Sequence, residues 1–358
     1  MIKRKKIAAV VLATTLAISS LTGCGAEKFD LKQNGEKPVI TVDGESMSFS
    51  EANFQARLLQ QQYESYYGTD IWKTEGQDKQ TIEQSVKAAL LEQLKSYRVI
   101  LNHAKDYDAT LTEEEAKTLK EQAEAFIGQM TDEFKALTDV NEEQLEEYVK
   151  QSLIAQKVSI EAGKEADVKV TDEEARQVKV NYVVFKVDTD AKKAEKTKAK
   201  QQATKLMNQA TKTKNLAVSA KAMKEEVTEA TLGKNNDSIP EELVTAALKL
   251  KKGEITKPIE IDYGYYVMQC MEENDKEATK TAKEQMLSEK QTEYFTNTTL
   301  PKWEDDAKIT VDEKLWDTIQ FAGNPVVKVE STTEESTTAA ENTTAAESTT
   351  TAEATTAK

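Results

Sequence analysis

Residues 239–267 read IPEELVTAALKLKKGEITKPIEIDYGYYV, and the pattern changes midway along them. Ile239 and Pro240 open a helix, proline being tolerated where a helix begins. Leu243, Ala247 and Leu250 then recur at helical spacing, and Lys251, Lys252 and Gly253 make a stop. After the stop, residues 258–261 and 265–271 read as two strands about a turn containing Tyr263 and Gly264. A helix followed directly by a hairpin is a piece of a small mixed domain rather than of a bundle.

Working outward, Val178, Val180, Tyr182 and Val184 alternate with their neighbours as a half-buried strand does. A charged helix over about 190–213, a shorter one, and Leu232 with Gly233 at a turn lie between that strand and residue 239. Residues 168–273 are therefore expected to form one small α+β domain.

Its flanks are helical. In 37–167, a short β-type run at Val39, Ile40, Thr41 and Val42 ends in an Asp43 and Gly44 turn, and Ser48 with Glu51 has the spacing of a capping box. Phe54, Leu58, Leu59 and Tyr63 mark the helix that follows. Ile82, Val86, Leu90 and Leu94 give a long helix one apolar face. Thr112 with Glu115 and Asn141 with Gln144 start two more, the second carrying Leu145, Val149 and Leu153. Residues 274–322 return to helix and end in Trp303, Ile309, Val311, Leu315, Trp316, Ile319 and Phe321. Too short to fold alone, this block is expected to pack on the first. The α+β domain is then an insertion into one helical domain.

The two ends are different material. Lys3, Arg4, Lys5 and Lys6 precede an apolar run over 7–18, then Ser19, Ser20, Leu21, Thr22, Gly23 and Cys24. That reads as a bacterial secretion signal over 1–23, its apolar part too short for an ordinary membrane span. The tetrad 21–24 looks like a lipobox. On that reading Cys24 is diacylated and anchors the mature chain to a lipid bilayer through the linker 24–36, at the extracytoplasmic face of the bacterial cell membrane. A plain secretory signal with an incidental cysteine is the alternative. Residues 323–358 are expected to be a disordered tail, because from Ser331 onward the chain is almost wholly Thr, Ser, Ala and Glu and cannot offset the entropy of ordering.

Composition narrows the function. With 63 acidic against 48 Lys and Arg residues the formal charge is −15, which suits a soluble exported body and argues against a nucleic-acid partner. One histidine, His103, and one cysteine besides Cys24, Cys270, leave no Ser-His-Asp or Cys-His pair and no zinc spacing, and glycine is too sparse for a phosphate loop. No cofactor is expected. His103 falls in the helical block, where a structural or solvated role is expected, and Cys270 reads as a small buried residue.

The order of signal, capped helical segment with VDGESMSFSEANF, helix starts LTEEEA and VTDEEA, α+β domain and returning helix resembles the PrsA and SurA type of extracytoplasmic foldase. The frame from IPEEL through LKLKKGEI to GYYV resembles the parvulin type of peptidyl-prolyl isomerase. The resemblance implies an α+β chain in which a mainly helical chaperone domain carries an inserted parvulin-like domain acting on X-Pro bonds of unfolded or newly exported polypeptides. It places Leu232, Ile239, Leu243 and Tyr263 around an apolar pocket, ordinary core packing being the alternative for Leu232, Ile239 and Leu243. Tyr182 and Tyr266 fall where the family's two histidines stand, so their hydroxyls would replace that hydrogen-bonded pair, half-buried strand tyrosines being the alternative. The acidic or thiol position falls among residues 223–229, at Glu225 or Glu226. A non-catalytic holdase or an envelope scaffold with a degenerate domain stays open beside the isomerase, and so does homodimerisation around a client.

Overall fold

The computed structural model describes residues 28–76, 79–236 and 238–327. The signal, Cys24 and most of the expected tail lie outside these residues. Among the described residues no helix is long and apolar enough to cross a membrane.

After a first helical turn, α1 (Leu31–Asn34), strands β1 (Pro38–Val42) and β2 (Glu45–Ser48) form a hairpin. Asp43 and Gly44 join them with φ of 51° and 90°, the two positive values that a primed two-residue turn requires. Helices α2 (Phe49–Tyr67), α3 (Ile82–Asn102), α4 (Glu113–Gln129), α5 (Asp132–Thr138) and α6 (Glu142–Gly163) build the first part of a helical body. The expected capping boxes at Thr112 with Glu115 and Asn141 with Gln144 are present. A short α7 (Asp172–Ala175) then leads into β3 (Val178–Lys186).

The inserted domain runs through α8 (Lys193–Thr213), α9 (Leu216–Met223), β4 (Thr228–Leu232), α10 (Glu241–Lys249), β5 (Ile259–Ile261) and β6 (Gly264–Glu272). Its antiparallel sheet has the order β4-β3-β6-β5. Both faces are covered: Val183, Phe185, Tyr265 and Val267 pack with α8 and α9 on one side, while Val178, Val180, Met268 and Cys270 pack with Leu232, Ala247 and Leu250 on the other. β3 is thus packed on two faces rather than half-buried, and α10 covers only part of the second face. Entry and exit lie side by side. The Asp275 amide donates to the Gln177 carbonyl at 2.9 Å, and the Gln177 amide to Thr279 Oγ1 at 3.0 Å.

The chain returns as α11 (Lys276–Tyr294), a π-helical turn over 295–299, α12 (Leu300–Asp306), β7 (Ile309–Val311) and α13 (Glu313–Asp317). β7 pairs with β1, and Leu315, Trp316, Ile319 and Phe321 join Val39, Ile40, Phe49, Trp72, Leu90 and Leu94 in one core. The chain is therefore a mainly helical body with a small α+β domain inserted in it.

Two expectations are corrected. The tail does not begin at residue 323: Val326 is fully buried among Phe54, Phe134, Leu145 and Tyr148, so residues 323–327 belong to the packed body. Nor does Glu51 complete a capping box. Ser48 Oγ accepts from the Glu51 amide at 3.2 Å, but the carboxylate turns inward, 5 % exposed, and its Oε1 has no hydrogen-bond partner among the described residues. The half-buried Tyr97 and Arg98 on α3 also carry one buried polar atom each, the Tyr97 hydroxyl and Arg98 Nε, with no hydrogen-bond partner among the described residues. Burial pushes the Glu51 carboxyl up to about 7, against the attraction of Arg98 and with a further push from Glu147.

A carboxyl whose pKa is higher folded than unfolded holds its proton in the folded chain after the unfolded chain has lost it. Stability should therefore fall as pH rises from about 4.5 to about 7 and then stay level. Glu51→Gln removes that penalty. Urea unfolding should find the variant more stable than the parent by up to about 3 kcal/mol at pH 8, with the difference shrinking towards pH 5.

Candidate functional site

Strand register sets the site. Tyr182 lies opposite Met268 and Val184 opposite Tyr266, so the two tyrosines are diagonal neighbours on one sheet face. Their ring centroids are 5.6 Å apart at an interplanar angle of 34°. Ile259 lies opposite Tyr266 on the other side, extending the face to the sheet edge.

The hairpin that presents Tyr266 depends on Gly264. Its φ is +145°, and a Cβ there would sit 2.3 Å from the Phe185 carbonyl oxygen, so only glycine lets β6 close on β3 at this point. On the other wall, the loop before α10 is fastened by Asn236, whose Oδ1 accepts from the Gly233 amide at 2.6 Å and whose carbonyl accepts from the Ile239 amide at 3.1 Å. Gln177 Nε2 holds Asn235 Oδ1 at 2.6 Å, tying that loop to the point where the domain joins the helical body.

Between these walls is an open cleft of about 1660 Å³. Ile239, Pro240, Val244 and Leu248 form one side, and Ile261, Tyr263 and Tyr266 the other. Its rim carries both charges, with Lys196 and Lys234 against Glu241, Glu242, Glu260 and Asp262. Burial, and then the neighbouring Tyr182, hold the Tyr266 hydroxyl above the usual phenol range, so it stays protonated and able to donate. Tyr265, facing the opposite core, is likewise raised, by burial and by its hydrogen bond to Glu260.

The cleft brings together Ile239, Tyr263 and Tyr266, with the Tyr182 ring tilted against Tyr266. Leu232 and Leu243 are buried at 4 % and 5 % exposure and do not line it, so of their two expected places these residues take core packing and not the pocket. Leu232 closes the core end of the sheet face, opposite Val178. One residue along a helix turns a side chain by about 100°, so Val244 and Leu248 take the wall positions while Leu243 and Ala247 face inward. The stripe Pro240, Val244 and Leu248, spaced four apart, was the available signal for that wall. Glu225 does not line the cleft either: it follows α9, its amide bonded to the Ala220 carbonyl at 2.9 Å. Glu226 is exposed in the same turn.

His103 caps the end of α3, stacks on Trp303 at 3.8 Å between centroids and pairs with Asp106 at 2.8 Å. Cys270 is buried on β6, its thiol pushed up chiefly by burial. Among the described residues no group of His, Cys, Asp or Glu is placed to hold a metal ion. What the cleft offers is an apolar wall, a neutral phenol and partial exclusion of water.

Residues 182–272 match the model of the PPIC-type PPIASE domain, and residues 1–137 that of the SurA-like N-terminal domain. Among curated proteins the chain is similar to the foldase protein PrsA of Clostridium perfringens, 27 % identical over 346 residues, covering 90 % of this chain and 100 % of that protein. Its counterpart in Clostridium acetobutylicum is 26 % identical over 343 residues, covering 87 % and 98 %. Among solved structures, the PrsA peptidylprolyl isomerase of Bacillus cereus aligns over 79 % of this chain and 97 % of its own at 20 % identity and a TM-score of 0.33. The foldase protein PrsA of Streptococcus pneumoniae aligns over 66 % and 89 % at 16 % identity and a TM-score of 0.34.

The hairpin geometry makes a direct prediction. Gly264→Ala forces a Cβ into the Phe185 carbonyl and should cost about 2–4 kcal/mol in urea unfolding, whereas Gly253→Ala, where a Cβ meets nothing within 4 Å and only a φ of +84° is strained, should cost about 1 kcal/mol.

Proposed function

We propose that this chain, which carries a PPIC-type PPIASE domain behind a SurA-like N-terminal domain, is an extracytoplasmic foldase whose cleft accelerates rotation about X-Pro bonds in unfolded polypeptides. The observation that carries the reading is the apolar wall of Ile239, Val244 and Leu248 facing Tyr266 across an open cleft within the PPIC-type segment. The likeness to curated PrsA foldases along most of the chain supports the broader foldase role. The signal and the Cys24 lipobox read from the sequence support export and a lipid anchor on the outer face of the cell membrane.

The chemistry asks little of the protein. Rotation about a prolyl amide meets a barrier of about 18–20 kcal/mol because the planar form is conjugated, and no bond forms or breaks during the rotation. At the twisted geometry conjugation is lost and the amide is less polar. A proline ring seated on the apolar wall therefore exchanges a solvated planar amide for a partly desolvated one, which favours the twisted state. The Tyr266 hydroxyl is placed to donate one hydrogen bond as the amide turns. Tyr182 positions that ring and adds a second phenol on the same face.

A second reading follows from the two tyrosines standing where the related isomerases carry histidines. The inserted domain then only holds peptide, and the helical body acts as a holdase. Refolding of a substrate limited by proline isomerisation separates the two readings. The isomerase reading expects catalysis by the full-length mature chain that falls at least tenfold in kcat/KM with Tyr266→Ala or Leu248→Ala, a loss of about 1.4 kcal/mol of transition-state stabilisation. Suppressed aggregation without acceleration would support the holdase instead.

A further inference from the structure

Residues 320–327 lie across the helical body as an irregular strap with neither helix nor strand, and most of what holds them reads backbone. Glu83 accepts from the amides of Phe321 at 2.6 Å and Ala322 at 3.2 Å. Arg57 Nη1 donates to the Gln320 carbonyl at 2.8 Å, and Gln60 Nε2 to the Asn324 carbonyl at 2.8 Å. Glu64 Oε2 accepts from the amides of Val326 at 2.9 Å and Val327 at 3.2 Å, and Thr131 Oγ1 donates to the Val326 carbonyl at 2.8 Å. Arg57, Gln60 and Glu64 are buried and joined to each other, Arg57 to Gln60 at 2.6 Å and Gln60 to Glu64 at 2.6 Å. They form a rigid row of donors and acceptors beneath the strap.

Only two strap side chains are deeply seated. Phe321 packs on Trp72 with centroids 4.8 Å apart and under Arg57 at 5.8 Å, and Val326 fills a socket among Phe54, Phe134 and Tyr148. The strap itself, QFAGNPVV, is uncharged. A groove that grips main chain through buried side chains, and asks only for one aromatic and one aliphatic residue, has the chemistry of sequence-tolerant polypeptide binding. It does not end at Trp72. Tyr63 lies 5.4 Å from Trp72, Tyr67 6.0 Å from Tyr63 and Tyr66 6.4 Å from Tyr67, so an aromatic ladder runs from the strap to the surface. Its last two rings are 78 % and 68 % exposed at Tyr66 and Tyr67, large apolar surface that the fold leaves to water.

We propose that residues 320–327 fill, in cis, a groove that binds an uncharged segment of an unfolded polypeptide, with Tyr66 and Tyr67 marking its open end, and that strap and incoming segment compete for it. This site is separate from the prolyl cleft and does not depend on isomerase activity. The strap works as a tethered competitor. Only segments that match its backbone contacts and its aromatic and aliphatic anchors displace it.

The test uses the full mature chain and a fluorescein-labelled synthetic peptide of residues 319–327, read by anisotropy. Val326→Asp puts a carboxylate into the apolar socket and should free the distal strap, so the peptide should bind this variant at least tenfold more tightly than the parent. Adding Tyr66→Ser and Tyr67→Ser should weaken that binding at least threefold, and an unlabelled, permanently unfolded polypeptide should compete with the peptide. Equal binding to the parent and to a folded Val326→Asp variant would overturn the proposal. Should that variant fail to fold, a chain ending at Gly323 replaces it, retaining Phe321 and its Glu83 contact. Loss of the fold in both would also overturn the proposal, because a strap that cannot leave an intact body cannot be exchanged.

Discussion

The pairing of β7 with β1 is the contact on which the rest of the structure depends. Ile40, Thr41 and Val42 lie opposite Val311, Thr310 and Ile309, and Asp43 secures the corner: its carboxylate accepts from the Lys308 amide at 2.9 Å while its own amide donates to the Lys308 carbonyl at 3.1 Å. The residues joined are 265 positions apart. Closing so long a loop is less costly than it looks, since each doubling of length adds only about 0.6 kcal/mol. Burying one large side chain beside the new strand contributes about 2–3 kcal/mol. Leu315, Trp316, Ile319 and Phe321 all become buried there, so packing outweighs closure. The antiparallel pairing of β3 with β6, which sets Lys179 opposite Glu272, brings residues 177 and 275 together and lets a complete small domain stand between them.

Within that domain, the cleft follows from a mismatch of lengths. β3 has nine residues and so spans about 30 Å, whereas nine residues of α10 span only about 13 Å. A helix of that length covers Val178 and Val180 and stops short of Tyr182 and Val184. One sheet face is therefore core at one end and open at the other. Tyr182 and Tyr266 sit at the change, buried enough to keep the Tyr266 phenol neutral and open enough to meet a ligand.

Much of the architecture was legible in the sequence because it rests on short-range rules. Alternation marked β3, four-residue spacing marked α3, and the polar pairs at Thr112 with Glu115 and Asn141 with Gln144 marked helix starts that the structure contains. The misreadings arise where a local pattern has two outcomes decided at long range. Ser48 and Glu51 match the residues of a capping box, yet packing against α3 and α6 carries the Glu51 carboxylate inward. Leu243 and Val244 are adjacent apolar residues, and only the angle at which α10 meets the sheet decides which one faces the cleft. Gly323, Asn324 and Pro325 read as the start of a tail because no local signal reveals that Gln60 and Glu64 hold the backbone there. The short β2, ESMS, has no apolar alternation to announce it and exists because the Asp43 and Gly44 turn folds it against β1.

Turnover of prolyl bonds in the cleft beside Tyr266 can be read directly by exchange spectroscopy on a proline peptide, with no folding substrate involved. A short labelled peptide containing one X-Pro bond, mixed with a substoichiometric amount of the mature chain, would be followed by two-dimensional NMR exchange between its cis and trans signals. Exchange cross-peaks are expected on the sub-second timescale, against tens of seconds or more for the free peptide, and should be lost when Tyr266 is replaced by Ala in a protein of unchanged fold. Exchange that stays at the uncatalysed rate while the peptide resonances broaden or shift on binding would contradict turnover, leaving a cleft that holds prolyl segments without turning them.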